Sequence, residues 1–151
     1  MPKKCPICQS PEKNPNLIFQ TRYWWFSLAN DQYYLGRSFL TAQRHVSSLG
    51  KLSKAEWKDF EKLVVRIEKV YAKTFKPALL NWTCMVNGAF QKKPYAPHMH
   101  WHIRPRYEKP IRFQGLVFKD KEFGHHYARR TNRKLSKEIQ QKIIARLKKY
   151  Q

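Results

Sequence analysis

The chain has 151 residues, 42% of them hydrophobic and 15% aromatic, enough for one domain-sized core, and its apolar runs fall short of the roughly 20 residues a spanning helix needs. Its 31 Lys and Arg against 10 Asp and Glu give a formal charge of +21, which disfavours basic partners and points to phosphates, nucleic acids or anionic surfaces. Three cysteines make no disulfide framework and "MPKKCPIC" lacks the apolar stretch of a secretory signal, so a soluble, cytoplasmic protein with no membrane partner is expected.

After the pair Cys5-x-x-Cys8, "NLIFQTRYWWFSLA" and "QYYLGRSFLTAQRHV" are aromatic and β-branched, are broken by Asn30-Asp31 and Gly36, and read as strands joined by turns. Ser53 and Glu56 then form a Ser-x-x-Glu capping box, followed by Trp57, Phe60, Val64, Ile67 and Tyr71 at steps of three and four. That spacing predicts a helix laid on the sheet and ended before Pro77. "ALLNWTCMVNG" returns to strand composition until Asn87-Gly88 turns the chain, and Cys84 within it reads as a small core residue. The prolines and lysines of "AFQKKPYAP" predict a loop leading into "APHMHWHIRPRY". His125 and His126 read as part of a solvated turn. From Tyr127 to Gln151 there are nine Lys or Arg against one Glu, and Ser136 can cap a helix whose Ile139, Ile143 and Leu147 form one apolar stripe. With no repeat or Gly/Ser linker, the expectation is an α+β domain over residues 1–126, an antiparallel sheet of about five strands with a long helix on one face, carrying a basic extension over 127–151 whose helix packs on the same domain.

Alternate residues of a strand share a face, so His98, His100 and His102 stand in a row, about 6.6 Å apart, while Met99, Trp101 and Ile103 turn to the core. Such a row suits a metal site of three imidazoles with a position open for water, as in a metal-dependent hydrolase. It equally suits attack by one imidazole nitrogen on phosphorus, with the neighbouring rings orienting it and protonating the leaving group. The inert alternative is a half-buried polar row. Histidine is neither a favoured strand former nor cheap to bury unpaired, which weighs against it.

His98-Met99-His100-Trp101-His102-Ile103 resembles the histidine-triad signature, His-φ-His-φ-His-φ-φ with φ apolar, and Arg104-Pro105-Arg106 resembles the ending seen in the fragile-histidine-triad branch. Asn87 stands eleven residues before the first triad histidine, where the family keeps Asn or Gln, and Asn30 falls where it places a ribose-binding Asn or Asp. The resemblance spans roughly residues 5 to 107. It implies a nucleotide hydrolase or nucleotidyl transferase that cleaves at the α-phosphate of a nucleotide conjugate or dinucleoside polyphosphate. His100 would be the nucleophile, His102 would contact the phosphate and help protonate the leaving group, and His98 would brace the site. Asn87 would bind near the scissile phosphate and Asn30 the ribose. Lys93-Pro94-Tyr95 replaces the family's Gly-Gln-Ser/Thr loop, so Lys92, Lys93 or Arg104 would supply charge there, and Arg37 follows Gly36 where the family often has Gly-His. The family's pairing of sheets implies a homodimer. Some triad proteins remove adenylate from DNA ends, and the basic tail suits a nucleic-acid substrate or a nucleic-acid-binding module.

Cys5-Pro6-Ile7-Cys8 is half of a tetrahedral zinc site, and His45 and His98 are the candidate partners. The resemblance extends to a zinc-binding subset that carries two cysteines, a mid-chain histidine and the first triad histidine around one structural ion. A redox pair or two inert thiols are the alternatives.

Overall fold

In a computed structural model describing residues 5–8, 13–126 and 132–151, the chain forms β1 (Leu17–Gln20), β2 (Trp24–Leu28), β3 (Ser38–Ala42), α1 (Lys54–Thr74), β4 (Leu79–Cys84), β5 (His100–Arg106), β6 (Ile111–Phe113), β7 (Leu116–Phe118) and α2 (Lys137–Lys148). The first five strands make one antiparallel sheet in the order β1-β2-β3-β5-β4, and β6 and β7 pair as a separate hairpin. The α+β architecture expected from the sequence is therefore present, with five strands in its main sheet.

The alternation of β2 and β3 divides the sheet's faces. Trp24, Phe26, Leu28, Leu40 and Ala42 join Leu63, Ile67, Val70 and Tyr71 of α1 in one core. Trp25, Ser27, Phe39 and Thr41 necessarily point the other way. α1 begins as predicted: the Ser53 hydroxyl accepts from the Glu56 backbone N–H and the Glu56 carboxylate accepts from that of Ser53. Its buried stripe runs through Leu63, Ile67, Val70 and Tyr71, whereas Trp57 sits at the rim, 38% exposed.

Two turns were not foreseen. Thr21 breaks "NLIFQTRYWWFSLA" into β1 and β2, its hydroxyl accepting the backbone N–H groups of Tyr23 and Trp24. The β6–β7 hairpin turns through Gln114 and Gly115, both at positive φ, a geometry that favours Asn-Gly and is not announced by Gln-Gly. Gly36 is also at positive φ, where a Cβ would meet the Tyr71 ring at 3.0 Å, so α1 packs directly against this turn.

Ser136 caps α2 as expected, and Ile143, Ile144 and Leu147 are buried against the domain, with Ile139 half-buried. The approach to α2 is tied to the β2–β3 turn: the Gln32 N–H donates to the Arg133 carbonyl at 2.8 Å, and the Arg133 N–H to Asp31 Oδ1 at 2.9 Å. The boundary expected between residues 126 and 127 falls beside 127–131, which lie outside the described residues. Arg106, the second arginine of Arg-Pro-Arg, is a fold residue: it is buried and paired with buried Asp120 at 2.5 Å.

Candidate functional site

The sheet's second face carries the histidines. Register places Trp25, Thr41 and His100 in one cross-strand row, and Ser27, Phe39, His102 and Thr83 in the next. The Phe39 ring meets both histidines edge-on, at 5.8 Å from His100 and 4.9 Å from His102 between centroids. Met99 and Ile103 are buried on the core side, and Trp101 is half-buried there, stacked on Phe60.

His100 Nδ1 lies 2.8 Å from the carbonyl oxygen of His98. A carbonyl can only accept, so the proton sits on Nδ1 and the lone pair on Nε2. His102 is fixed from the opposite side: its Nδ1 accepts from the Arg104 guanidinium at 3.4 Å, which leaves the proton on Nε2. Burial pushes the His102 ring down to about 3, assisted by His100, Arg104 and Arg37, while the Met85 backbone opposes the shift. His102 is thus a neutral donor at physiological pH, and the permanent charge beside it belongs to Arg104. Arg104 is buried, continues the histidine face and donates to Thr83 Oγ1 at 2.9 Å.

His98 stands just before β5 and is 1% exposed. Its Nε2 donates to the Ala42 carbonyl at 2.7 Å, so its lone pair is on Nδ1, and burial first of all keeps the ring's pKa low. That lone pair faces Cys5 Sγ at 3.5 Å and Cys8 Sγ at 3.3 Å, while His45 Nδ1 lies 3.1 Å from Cys8 Sγ. All four donor atoms lie within 4.8 Å of one another. Zn–S and Zn–N bonds of about 2.3 and 2.0 Å put tetrahedral ligands some 3.3–3.8 Å apart, so the separations of 3.1 to 3.5 Å and the Cys2His2 chemistry fit a structural zinc ion. Burial raises the Cys8 thiol to about 11, with Cys5 adding to the effect, so without a cation Cys8 would hold its proton. His45 is delivered by a pinned loop: Arg44 grips Glu56 with Nε at 3.0 Å and Nη2 at 2.9 Å, and the Met99 N–H donates to the Val46 carbonyl at 2.8 Å.

Two cavities flank His100. The larger, about 560 Å³, is lined by His98, His100, His102, Asn87, Lys92 and Lys93 among others. The smaller, about 330 Å³, is lined by Trp25, Ser27, Phe39, Thr41, Asn14 and His100. Of the three triad histidines, His100 alone borders both. Asn87 and Lys93 are thus brought to the site. Asn30 is exposed, lines neither cavity, and uses its Oδ1 to accept from Asn16 Nδ2 at 2.8 Å. Arg37, whose charge reaches His102, is paired with Asp31. His125 and His126 are exposed and lie apart from the row, against β4. Cys84 is half-buried and packed on the core.

The sequence reading missed the smaller cavity. Its signal was available: Trp25 and Ser27, like Phe39 and Thr41, follow the same period of two that singled out the histidines.

No family model matches the sequence, and no curated protein is similar to it. Among solved structures, a histidine triad protein from Sinorhizobium meliloti is 13% identical and superposes with a TM-score of 0.66, covering 95% of this chain and 96% of the other. A Plasmodium falciparum diadenosine triphosphate hydrolase in complex with cyclomarin A is 17% identical, with a TM-score of 0.63 over 91% of this chain and 77% of its own. A zinc-bound histidine triad family protein from Mycobacterium smegmatis is 16% identical, with a TM-score of 0.56 over 88% of this chain and 84% of its own. The fold of this chain is the histidine-triad fold.

Proposed function

We propose that this protein of histidine-triad fold is a nucleotide hydrolase or nucleotidyl transferase acting at the α-phosphate of a nucleotide conjugate or dinucleoside polyphosphate. The observation that carries the reading is the hydrogen bond from His100 Nδ1 to the His98 carbonyl, which leaves the lone pair on Nε2 of a residue that borders both cavities. In the first step Nε2 bonds to phosphorus as the bond to the leaving group breaks, and the leaving group departs with its electron pair and takes up a proton. In the second step water or another acceptor attacks phosphorus, releases its proton, and frees the imidazole. His102, neutral and protonated on Nε2, donates a hydrogen bond to the phosphate while the leaving group takes its proton from water, with Arg104, Lys92 and Lys93 supplying positive charge and Asn87 a hydrogen bond near the scissile bond. His98 braces the row. The smaller cavity takes the nucleoside, with Trp25 and Phe39 against the base. Asn30 serves the ribose after its bond to Asn16 is exchanged for the sugar hydroxyls.

Zinc held by Cys5, Cys8, His45 and His98 supplies a structural cross-link between the amino-terminal turn and the triad. Pairing of two copies into a homodimer is favoured by the position of β4 at the end of the sheet among the described residues, with Leu79 42% exposed. No helix among the described residues is long and apolar enough to cross a membrane, and we place the protein in the cytoplasm. A second reading, action on nucleic-acid ends or plain nucleic-acid binding, is favoured by the larger cavity's rim. Lys92 and Lys93 line it, and in the same loop exposed Phe90 and Tyr95 pack at 5.1 Å, a pairing of base-stacking and phosphate-binding groups.

Incubation with a nucleoside phosphoramidate, a dinucleoside polyphosphate and an adenylated oligonucleotide, followed by rapid quench and mass spectrometry, tests the reading. An acid-labile nucleotidyl adduct on His100 is expected. His100→Ala should lose the adduct and at least about a thousandfold in turnover while keeping its circular dichroism spectrum. A folded wild-type protein that forms no adduct with any of the three would overturn it.

A further inference from the structure

The turn between the two cysteines has a second role. Its ends are the clustered donors Cys5 and Cys8, whose partners His45 and His98 follow β3 and precede β5. Its tip residues, Pro6 and Ile7, line the larger and the smaller cavity alike. Trp25 is 7% exposed in the wall of the smaller cavity, on the sheet face that α1 does not cover. A turn of four residues with an ion bound at both ends could not swing away while that cross-link held.

We infer that Cys5-Pro6-Ile7-Cys8 is a metal-held partition, and that Ile7 is a specificity-determining residue that sets which combinations of nucleoside and leaving group can straddle His100. The inference rests on the nucleotidyl-histidine reading above. A substrate engaging His100 must lie with its nucleoside on one side of Pro6 and Ile7 and its leaving group on the other. An apolar side chain there offers no hydrogen bond and selects by shape, a mode in which one or two methylenes change discrimination about 10- to 200-fold. The ion thereby governs selectivity as well as stability.

The test compares two substrates of different leaving-group bulk, a nucleoside phosphoramidate and a dinucleoside polyphosphate, in the zinc-loaded wild type, Ile7→Ala and Ile7→Gly. Both variants should retain one zinc per chain and the His100 adduct, while the ratio of the two kcat/KM values shifts toward the bulkier substrate, by about tenfold or more for Ile7→Gly. The second arm needs no turnover: acrylamide quenching of tryptophan fluorescence, read as the difference between wild type and Trp25→Phe. Removing zinc with a chelator, or by Cys5→Ser, should raise quenching of Trp25 and reproduce the selectivity change of Ile7→Gly. An unchanged ratio in Ile7→Gly with the adduct still forming would overturn the specificity role, and equal Trp25 quenching with and without zinc would overturn the partition. If the wild type forms no adduct at all, the nucleotidyl reading fails instead, and the quenching arm still decides whether the turn is metal-held.

Discussion

His100 and His102 lie 4.9 Å apart between ring centroids yet carry their protons on different nitrogens, because one donates to a carbonyl and the other accepts from a guanidinium. That asymmetry leaves a lone pair on Nε2 of His100 and a proton on Nε2 of His102. Burial first, then His100, Arg104 and Arg37, depress the His102 pKa from its ordinary value near 6.5 to about 3. In a histidine-selective NMR titration of the free protein, His102 should therefore remain neutral from pH 8 to below pH 5. The folded state then binds fewer protons than the unfolded chain between these two pKa values, so stability from this group is full above about pH 6.5 and declines as pH falls toward 3. Arg104→Met should remove one depressing charge and move the His102 titration upward. A resonance that titrates near 6.5 in the wild type would contradict the burial argument. At this scale the sequence was most legible where chemistry is local: alternate spacing is enough to put His100 and His102 on one face. It was least legible for Asn30, whose partner Asn16 lies 14 residues away, and for Arg37, whose pairing with Asp31 depends on the shape of a turn.

Elements position the Cys5, Cys8, His45 and His98 cluster through α1. Glu56 completes the helix cap, is 3% exposed, and clamps Arg44 next to His45, and Arg44's hydrogen bonds hold its carboxyl below the usual range. Glu56→Ala should cost about 2 kcal/mol through the lost cap and the stranded arginine, seen as a fall in Tm of ~5 °C, and should also speed zinc release to a chromogenic chelator. Normal zinc retention in that variant would show that the His45 loop is held by other means. The capping box was legible in full because its signal is four residues long. The link from that cap to His45 was not, since it runs through Arg44, which looks like any other surface cation among 31. The β6–β7 hairpin was hidden for a related reason: a Gln at positive φ is tolerated by its tertiary setting, not favoured by its own chemistry.

The molecule as a whole is a sheet whose two faces are maintained by different means. One is covered by α1, with α2 locked alongside, and there Leu147→Ala should cost about 2–5 kcal/mol and lower Tm by ~5–15 °C in a thermal melt. The other carries the histidine row and its two flanking cavities, with Cys5, Cys8, His45 and His98 clustered beside it. Zinc removal should therefore lower Tm by ~10 °C, an effect of about 3 kcal/mol, and leave the far-ultraviolet dichroism nearly unchanged. That the chain folds as a layered α+β domain was readable from periodicity, whereas the docking of the basic tail through Arg133 and Asp31 was beyond any pattern, because it joins residues about a hundred positions apart.

The acceptor that fixes the tautomer of His100 is a main-chain oxygen, and it belongs to the same residue whose ring faces the two thiols. No side-chain replacement at position 98 can delete it. Genetic change can alter the tautomer of His100 from this direction only by sliding the peptide plane itself, which makes strand registry the quantity that selection must guard here.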